Sequence, residues 1–419
     1  MKKLCITILT SLIGLNLLVA QVNTYPKWEE GILEIHHINT GRGDAAYFIL
    51  PDGTTMLVDA GDTSETHPRT LSVRNAPLTP NRSKTAPQWI VDYIKQFSPK
   101  VNKEIDYAII THYHDDHFGE VDSIRKISDK GDYQLTGITE VGTLVPIHTL
   151  IDRGSSFPID LKDTIVQRKY RKDTYHMVQT LTNYWKFIDY QSDKNGLKNE
   201  TLIPGKLDQI QLVKSPKKYT NFHVRNIAVN GAIWTGEKEY YFDTYKQGEY
   251  HGENDLSTCI KITYGNFDYF TGGDISGVDA YGQSDFSSME SLMAPVIGPV
   301  DVITLNHHGN RNSQNIYYVR TVRPRVWIQQ NWSSDHPGEE VFRRISSKKL
   351  YPGDRDMFAT VMLQPNKDVI GEKLNNYKSQ EGHIVVRVYD NGNFYEIYVL
   401  DDTTNKRTVK AKFGPYECR

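Results

Sequence analysis

Apolar and polar positions alternate along residues 33–38, where Leu, Glu, Ile, His, His and Ile follow one another. A period of two is typical of a β-strand with one buried face. Residues 45–50 and 55–59 have the same character, and the Pro-Asp-Gly sequence between them predicts a tight turn. The pattern therefore predicts a β-meander whose third strand ends on an acidic residue, Asp59.

The following stretch, residues 63–87, is polar and contains several prolines, so we expect irregular structure there. Large apolar residues then recur at helical spacing and predict one helix: Trp89, Ile90, Tyr93, Ile94 and Phe97. An apolar strand at residues 107–110 leads directly into Thr111 and His112. Loops at the ends of such strands often carry functional side chains.

Residues 130–250 are basic and rich in tyrosine, and they contain one predicted amphipathic helix at residues 175–188. We interpret this region as an insertion that shapes a cleft. Regular strands are predicted again at residues 257–264, 267–271, 300–305, 326–329, 361–363, 384–388 and 394–399, with helices beginning near Ser313 and Gly338. This order predicts a single domain at residues 21–419, built from two packed sheets flanked by helices.

The composition of 38% hydrophobic and 24% charged residues is typical of a globular protein, and the formal net charge of −2 offers no general attraction to nucleic acid. Residues 1–20 combine two lysines, an apolar run and Ala20, which predicts a cleaved export signal. We therefore expect a periplasmic or secreted protein without a stable membrane anchor, although a retained anchor is the alternative. Cys259 and Cys418 could pair in an oxidising compartment.

The segment His112-Tyr113-His114-Asp115-Asp116-His117 places three imidazoles and two carboxylates within six residues. An extended His-x-His directs two imidazoles to the same side, and a turn after Asp115 would bring Asp116 and His117 to a second ion. Zinc, manganese and iron all accept imidazole with carboxylate. The motif therefore predicts a metal site.

This motif, following an apolar strand, resembles the signature of the metallo-β-lactamase superfamily, whose fold is an αββα sandwich with a one- or two-metal site at its edge. Other segments resemble the branch that contains the hydrolase domain of DNA-uptake competence channels and the choline-phosphate esterases. These segments are residues 41–45, 57–61, 272–274, 306–309 and 335–337. Their order along the chain also agrees with that branch.

The resemblance implies an α/β fold of the αββα type and a centre with two divalent ions, zinc being expected and manganese or iron being alternatives. The implied metal ligands are His112, His114, Asp116, His117, Asp274 and His308. Asp116 and His307 are the implied catalytic residues, and Asp152 is a candidate for a first-metal ligand that the motifs do not locate. Residues expected to support the ligands or to contact substrate are Asp59, Asn254, Ser257 and His336.

The implied activity is hydrolysis by metal-activated water, with a phosphodiester or phosphate ester as the expected substrate. Cleavage of a lactam, lactone or thioester is the first alternative, because activated water also attacks carbonyl groups. The second alternative is a non-catalytic protein with a structural metal, which would bind glycan or cell-wall polymer through Trp185 and Trp234. The expected partner is a small-molecule or polymer ester, with no obligate nucleic acid, and the oligomeric state stays open.

Overall fold

The structure is a computed structural model that describes residues 24–99, 103–170, 175–238, 240–245 and 252–419. The predicted export signal at residues 1–20 lies outside these ranges. Within the described residues, no helix combines the length and the apolar character that crossing a membrane requires.

Two large sheets form the centre of the described chain. The strands, in chain order, are β1 (Leu33–His37), β2 (Ala46–Ile49), β3 (Thr55–Val58), β4 (Ile105–Ile109), β5 (Ile147–Asp152), β6 (Lys198–Thr201), β7 (Phe222–Val229), β8 (Ala232–Trp234), β9 (Tyr241–Asp243), β10 (Cys259–Tyr264), β11 (Phe267–Thr271), β12 (Val302–Thr304), β13 (Val326–Gln329), β14 (Asp356–Ala359), β15 (Tyr377–Ser379), β16 (His383–Tyr389), β17 (Phe394–Leu400) and β18 (Val409–Glu417). The first sheet has the order β18-β17-β16-β1-β2-β3-β4-β5-β6, and the second has the order β15-β14-β13-β12-β11-β10-β7-β8-β9.

Helices lie along the outer faces of the two sheets. The α-helices are α1 (Ala86–Phe97), α2 (Asp115–Phe118), α3 (Gly137–Leu144), α4 (Thr164–Tyr170), α5 (Tyr175–Asn195), α6 (Met289–Ile297), α7 (Ile316–Val322), α8 (Glu339–Ser346) and α9 (Gln364–Ile370). Short 3₁₀ helices occur at Glu253–Leu256, Asn306–Gly309, Gly371–Asn376 and Asp390–Gly392. The predicted αββα arrangement of two mixed sheets with flanking helices is therefore confirmed.

Among the described residues, three large apolar cores hold these layers together. The inner faces of the two sheets pack on each other, for example through Phe48 of the first sheet and Tyr269 of the second. A second core joins the outer face of the first sheet to α1, α3 and α5, and a third joins the second sheet to α6, α7 and α8. Alternation along each strand sends neighbouring side chains into different cores, which explains the period of two in the sequence.

The predicted meander and the helix after it lie where the sequence placed them. Helix α1 begins at a capping box, in which the Thr85 hydroxyl accepts from the Gln88 backbone N–H and the Gln88 side chain accepts from that of Thr85. The strand predicted at residues 361–363 was wrong. Val361 makes a single bridge to Glu381, and the strand of this region is β14, which begins at Asp356.

The structure differs from the interpretation of residues 130–250 as an insertion. The described part of this region contributes β5 and β6 to the first sheet and β7, β8 and β9 to the second. These strands are part of the main framework because they continue both hydrogen-bonded sheets. No described residue between 130 and 250 lines the cavity beside the histidine motif.

Trp185 and the two cysteines do not take the roles that the sequence suggested for them. Trp185 lies on α5 and is buried between that helix and the first sheet. Its indole N–H donates to the Leu161 carbonyl at 3.2 Å, so it is not an exposed platform for glycan. Cys259 and Cys418 do not pair, since both are buried free thiols. Burial raises the pKa of each thiol, which keeps both protonated and unreactive.

Close backbone packing sets the position of the histidine motif. Asp44 N–H donates to the Asp116 carbonyl at 2.8 Å, and Ala60 N–H donates to the His117 carbonyl at 2.7 Å. Gly61 lies against the same loop, where a Cβ would come 2.1 Å from the Asp116 carbonyl oxygen. Only glycine fits there, because the neighbouring atoms belong to backbone that cannot move aside independently.

We predict that Gly61→Ala displaces the Asp116 loop and lowers the free energy of unfolding by roughly 1–3 kcal/mol, the usual effect of overpacking. Urea unfolding would measure this change. Gly252→Ala is the matched control, because a Cβ there meets nothing within 4 Å. Equal stabilities of the two variants would show that the loop accommodates the methyl group.

Candidate metal centre

The candidate ligands lie at the carboxyl ends of parallel strands. Strands β3 and β4 are parallel in the first sheet, and β11, β12 and β13 are parallel in the second. The histidine motif follows β4, Asp274 follows β11, and His307 and His308 follow β12. Side chains that are far apart in the sequence therefore meet at one edge of the sandwich.

One ligand group contains His112, His114 and Asp274. Nε2 of His112 lies 3.0 Å from Nδ1 of His114, so the two imidazoles point to the same side of the loop. A carboxylate oxygen of Asp274 lies 3.8 Å from Nε2 of His112. This geometry agrees with the arrangement expected for His-x-His.

A second ligand group contains Asp116, His117, Asp274 and His308, all of them buried. Nε2 of His308 lies 3.1 Å from Oδ2 of Asp116 and 3.4 Å from Oδ2 of Asp274. Nε2 of His117 lies 3.2 Å from Oδ1 of Asp274. Asp274 is therefore common to both groups, and the structure brings together all six predicted ligands.

The side chains at this centre fit divalent cations. Nε2 of His117 and Oδ1 of Asp274 are buried and have no well-formed hydrogen bond within the described part of the chain. Buried polar atoms normally have partners, so two such atoms facing each other indicate a missing ligand. Imidazole nitrogen and carboxylate oxygen are ligands that zinc, manganese and iron accept.

The electrostatics of the centre also favour added positive charge. Burial alone would lower the pKa of His117 and His308, but nearby carboxylates, Asp274 foremost, raise both well above the ordinary value. Burial alone would raise the pKa of Asp116 and Asp274, but His117 and His308 lower both. Buried carboxylates at this density need cations, and divalent metals would supply that charge.

Asp59 orients the ring of His117, as the sequence suggested. Its Oδ2 accepts from Nδ1 of His117 at 2.8 Å and from the Thr111 hydroxyl at 2.7 Å, while its Oδ1 accepts from Thr111 N–H at 2.8 Å. A proton held on Nδ1 leaves Nε2 of His117 free to bind a cation. Asp59 is not itself a member of either ligand group.

Two side chains that the sequence did not assign to the site support its ligands. The indole N–H of Trp332 donates to Oδ2 of Asp116 at 2.9 Å. Oδ1 of Asp44 lies 3.0 Å from Nδ1 of His308, on the far side of the ring from Asp116. Asp44 belongs to the segment 41–45 that carries the family resemblance, which was the available signal, whereas nothing in the local sequence marked Trp332.

His307 does not join either ligand group, and its ring faces the cavity. Nδ1 of His307 lies 2.7 Å from Oδ1 of Asn312, and Nε2 lies 3.2 Å from Nδ2 of Asn254. Burial lowers the pKa of His307, so the free ring is neutral at pH 7. The two amides fix the direction of the imidazole, and the sequence predicted Asn254 but not Asn312.

The conformation of the His307-His308 pair is unusual for residues other than glycine. Their φ angles are 49° and 53°, in the left-handed region. The backbone is held there because His307 N–H donates to the Gly273 carbonyl at 3.0 Å and Gln329 Nε2 donates to the His308 carbonyl at 3.0 Å. Neighbouring strands thereby maintain the turn that sends the two rings to different places.

Ser257 and His336 lie beside the centre. The Ser257 hydroxyl donates to the Asn254 carbonyl at 2.7 Å and accepts from Asp274 N–H at 3.2 Å, so it holds the Asp274 loop instead of facing substrate. The His336 ring lines the cavity with its centroid 4.9 Å from that of His308. His336 is thus placed to contact a ligand in the cavity.

Asp152 does not reach the centre, which corrects the expectation that it supplies a metal ligand. Its carboxylate accepts from Gly154 N–H at 2.7 Å, Tyr184 hydroxyl at 2.7 Å and Asn199 Nδ2 at 3.1 Å. These donors hold it at the end of β5. The acid nearer the motif is Glu253, which accepts from Tyr113 N–H at 3.0 Å and pairs with Arg153.

A cavity of about 650 Å³ opens over both ligand groups. Its lining is Pro68, Arg69, Ser72, Arg74, Asn75, His114, Asp115, Asp116, Asn254, Asp274, His307, His308, Asn310, Trp332, Ser333, Asp335 and His336. Part of one wall comes from the irregular segment at residues 63–87, which the sequence did not connect with the site. A larger cavity beside α7 contains none of the candidate ligands.

Two mixed sheets between helices, with a histidine and aspartate cluster at their edge, define the metallo-β-lactamase fold. Residues 39–142 match the family model of the metallo-beta-lactamase superfamily. This match agrees with the resemblance seen in the sequence, and it covers the segment that contains His112 to His117.

Among solved structures, the chain is similar to an inferred metal-dependent hydrolase from Parabacteroides distasonis ATCC 8503. The two are 11% identical, the similarity covers 77% of this chain and 92% of that one, and the TM-score is 0.33. A search of curated proteins found no match.

We predict that Asp274→Ala removes both bound metals, because Asp274 is the only residue shared by the two ligand groups found in the described residues. His114→Ala should reduce the content by one ion per chain, since His114 belongs to one group. Inductively coupled plasma mass spectrometry on the folded variants would count the ions. Asp354→Ala, at an exposed position, is the control. Equal metal loss in the Asp274 and His114 variants would argue against a shared ligand.

Proposed function

We propose that this protein is an exported metal-dependent hydrolase that cleaves a phosphodiester or phosphate ester with two divalent cations, zinc being expected. The observation that carries the proposal is the pair of ligand groups sharing Asp274 at the base of a polar cavity. Two cations held by these neighbouring ligand groups would suit hydrolytic displacement at phosphorus.

The charge of the cavity supports a phosphate ester. Its lining contains two arginines and four aspartates, and two divalent cations would change this negative balance to a positive one. Pro68 and Trp332 are the apolar side chains of the lining. Such a cavity favours an anionic substrate over a neutral lactam or lactone, because it offers few apolar contacts and several charged ones.

The residues present would divide the work of hydrolysis. His112, His114 and Asp274 would hold one cation, and the second ligand group would hold the other; bound there, divalent cations lower the pKa of water and polarise phosphoryl oxygens. Asp116 is held in direction by the Trp332 indole, so its carboxylate can orient the attacking water. All of these ligands except the half-buried His114 are buried, which reduces competition from bulk water.

His307 would contact the phosphate from the part of the cavity wall that also carries Asn254. Its ring is neutral in the free protein, and its Nε2 faces the cavity beside the Asn254 amide. A phosphate anion near Nε2 would raise the pKa of the ring and favour the protonated form. The imidazolium could then donate to a phosphoryl oxygen as negative charge develops there.

We predict that the metal-loaded protein hydrolyses bis(p-nitrophenyl) phosphate and that Asp274→Ala abolishes this activity. His307→Gln should retain both metals and lower kcat by about 10²-fold to 10³-fold, as expected for loss of one donor to a developing anion. Release of p-nitrophenolate measures the rate, and metal content is counted in the same samples.

His148→Gln is the matched control for the histidine substitution, since His148 is exposed and pairs with Glu104 away from the cavity. A wild-type protein that carries two metals and leaves phosphate esters intact would contradict the proposal, and lactam, lactone and thioester substrates would be tested next.

The export part of the proposal rests on residues 1–20 alone. We predict that the protein recovered from the producing cell begins near Gln21, and intact-mass spectrometry of that material measures it. A full-length mass in the cytoplasmic fraction would contradict export.

A further inference from the structure

Two arginines stand on the rim of the cavity above the metal centre. Arg69 donates to Oδ2 of Asp115 at 2.5 Å, and Arg74 pairs with Asp335. The Arg69 guanidinium also lies 5.4 Å from the centre of the Trp332 ring, whose N–H binds Asp116. Both side chains therefore line the same cavity as the candidate ligands, although neither belongs to a ligand group.

The backbone fixes these arginines relative to the centre. Asn75 forms a β-bridge with Ser333, Ala76 N–H donates to the Trp332 carbonyl at 2.7 Å, and Ser334 N–H donates to the Arg74 carbonyl at 2.8 Å. The segment that carries the arginines is thus joined to the loop after β13. A guanidinium mounted on such a support can bind an oxyanion with defined geometry.

The present partners of the arginines can be exchanged at little cost. The side chains of Arg69 and Arg74 are 52% and 63% exposed, whereas their partners Asp115 and Asp335 are 19% and 56% exposed. Ion pairs in contact with water contribute little to stability, so a bound anion can replace them. Planar guanidinium groups match the oxygens of phosphate and carboxylate, and both of these line one cavity, so each can donate to an anion bound there.

We propose that Arg69 and Arg74 form a binding site for a second anionic group of the substrate, separate from the phosphoester that is cleaved. This inference rests on the proposed function. The cavity of about 650 Å³ extends from the ligand groups to both arginines, so one molecule can reach both places. The substrate class is therefore a phosphate ester that carries a further phosphate or carboxylate, and not a choline-like ester with a cationic group.

The inference is tested with the p-nitrophenyl ester of thymidine 5′-phosphate, compared with the same ester bearing a 3′-phosphate or a 3′-succinyl group. We expect wild-type kcat/KM to be about tenfold higher for an ester with a second anion than for the unsubstituted ester, the effect of about one charge-assisted contact. Arg69→Gln with Arg74→Gln should remove this preference, so that kcat/KM for the three esters agrees within about twofold, with metal content unchanged. The two added groups distinguish phosphate from carboxylate.

Arg343→Gln is the matched control, because Arg343 is 65% exposed and pairs with Glu339 at 2.7 Å on α8, away from the cavity. It should retain the wild-type preference. Arg69→Lys should keep part of the preference, since it retains the charge and loses the fork of donors. A wild-type protein without preference for either anion, or a preference that survives both glutamine substitutions, would overturn the inference.

A binding measurement separates this inference from the proposed reaction. Equilibrium dialysis of metal-loaded protein would compare thymidine 5′-phosphate with thymidine 3′,5′-bisphosphate. Tighter binding of the bisphosphate that depends on the arginines, without turnover of any ester, would support the anion site and contradict the phosphoesterase. Turnover of the esters without that preference would support the phosphoesterase and contradict the anion site.

Discussion

The shared position of Asp274 between two ligand groups is the constraint on which the rest of the site depends. Asp274 follows a strand of the second sheet, whereas His112, His114, Asp116 and His117 follow a strand of the first. The two sheets must therefore pack at one separation and in one register for the groups to form. The apolar core between the sheets supplies that register, and Ser257 holds the Asp274 backbone at its end.

Concentrating buried acids and imidazoles at one edge has an electrostatic cost, and the surrounding residues reduce it. Asp59 accepts from His117, and Trp332 donates to Asp116. Asp44 lies against His308. Each contact fixes the direction of one ligand, so the arrangement does not need to reorganise when cations bind. The left-handed turn at residues 307–308 also fixes side-chain directions. It places the His308 ring in a ligand group and leaves the His307 ring facing the cavity.

The periodicity of apolar residues predicted the helices and strands whose form depends on residues close together in the sequence. The meander, α1 and the strand before His112 follow from periodicity because their side chains alternate between core and solvent or between two cores. Periodicity did not predict how residues 130–250 divide between the two sheets. The family resemblance led us to seek a further metal ligand between the histidine motif and Asp274, and the acid selected there was Asp152. Its oxygens already accept hydrogen bonds from Gly154, Tyr184 and Asn199.

The sequence by itself predicted the two-sheet architecture and six candidate ligands, because closely spaced histidines and aspartates form a recognisable motif that resembles the metallo-β-lactamase signature. Only the tertiary structure decided that Asp274 belongs to both ligand groups and that His308, but not His307, is a member of one of them. It also showed that Trp332 and Asp44 contact the ligands Asp116 and His308. It alone placed Arg69 and Arg74 on the cavity rim. The physical reason is that these relations join residues tens or hundreds of positions apart, and packing of the two sheets sets their distances.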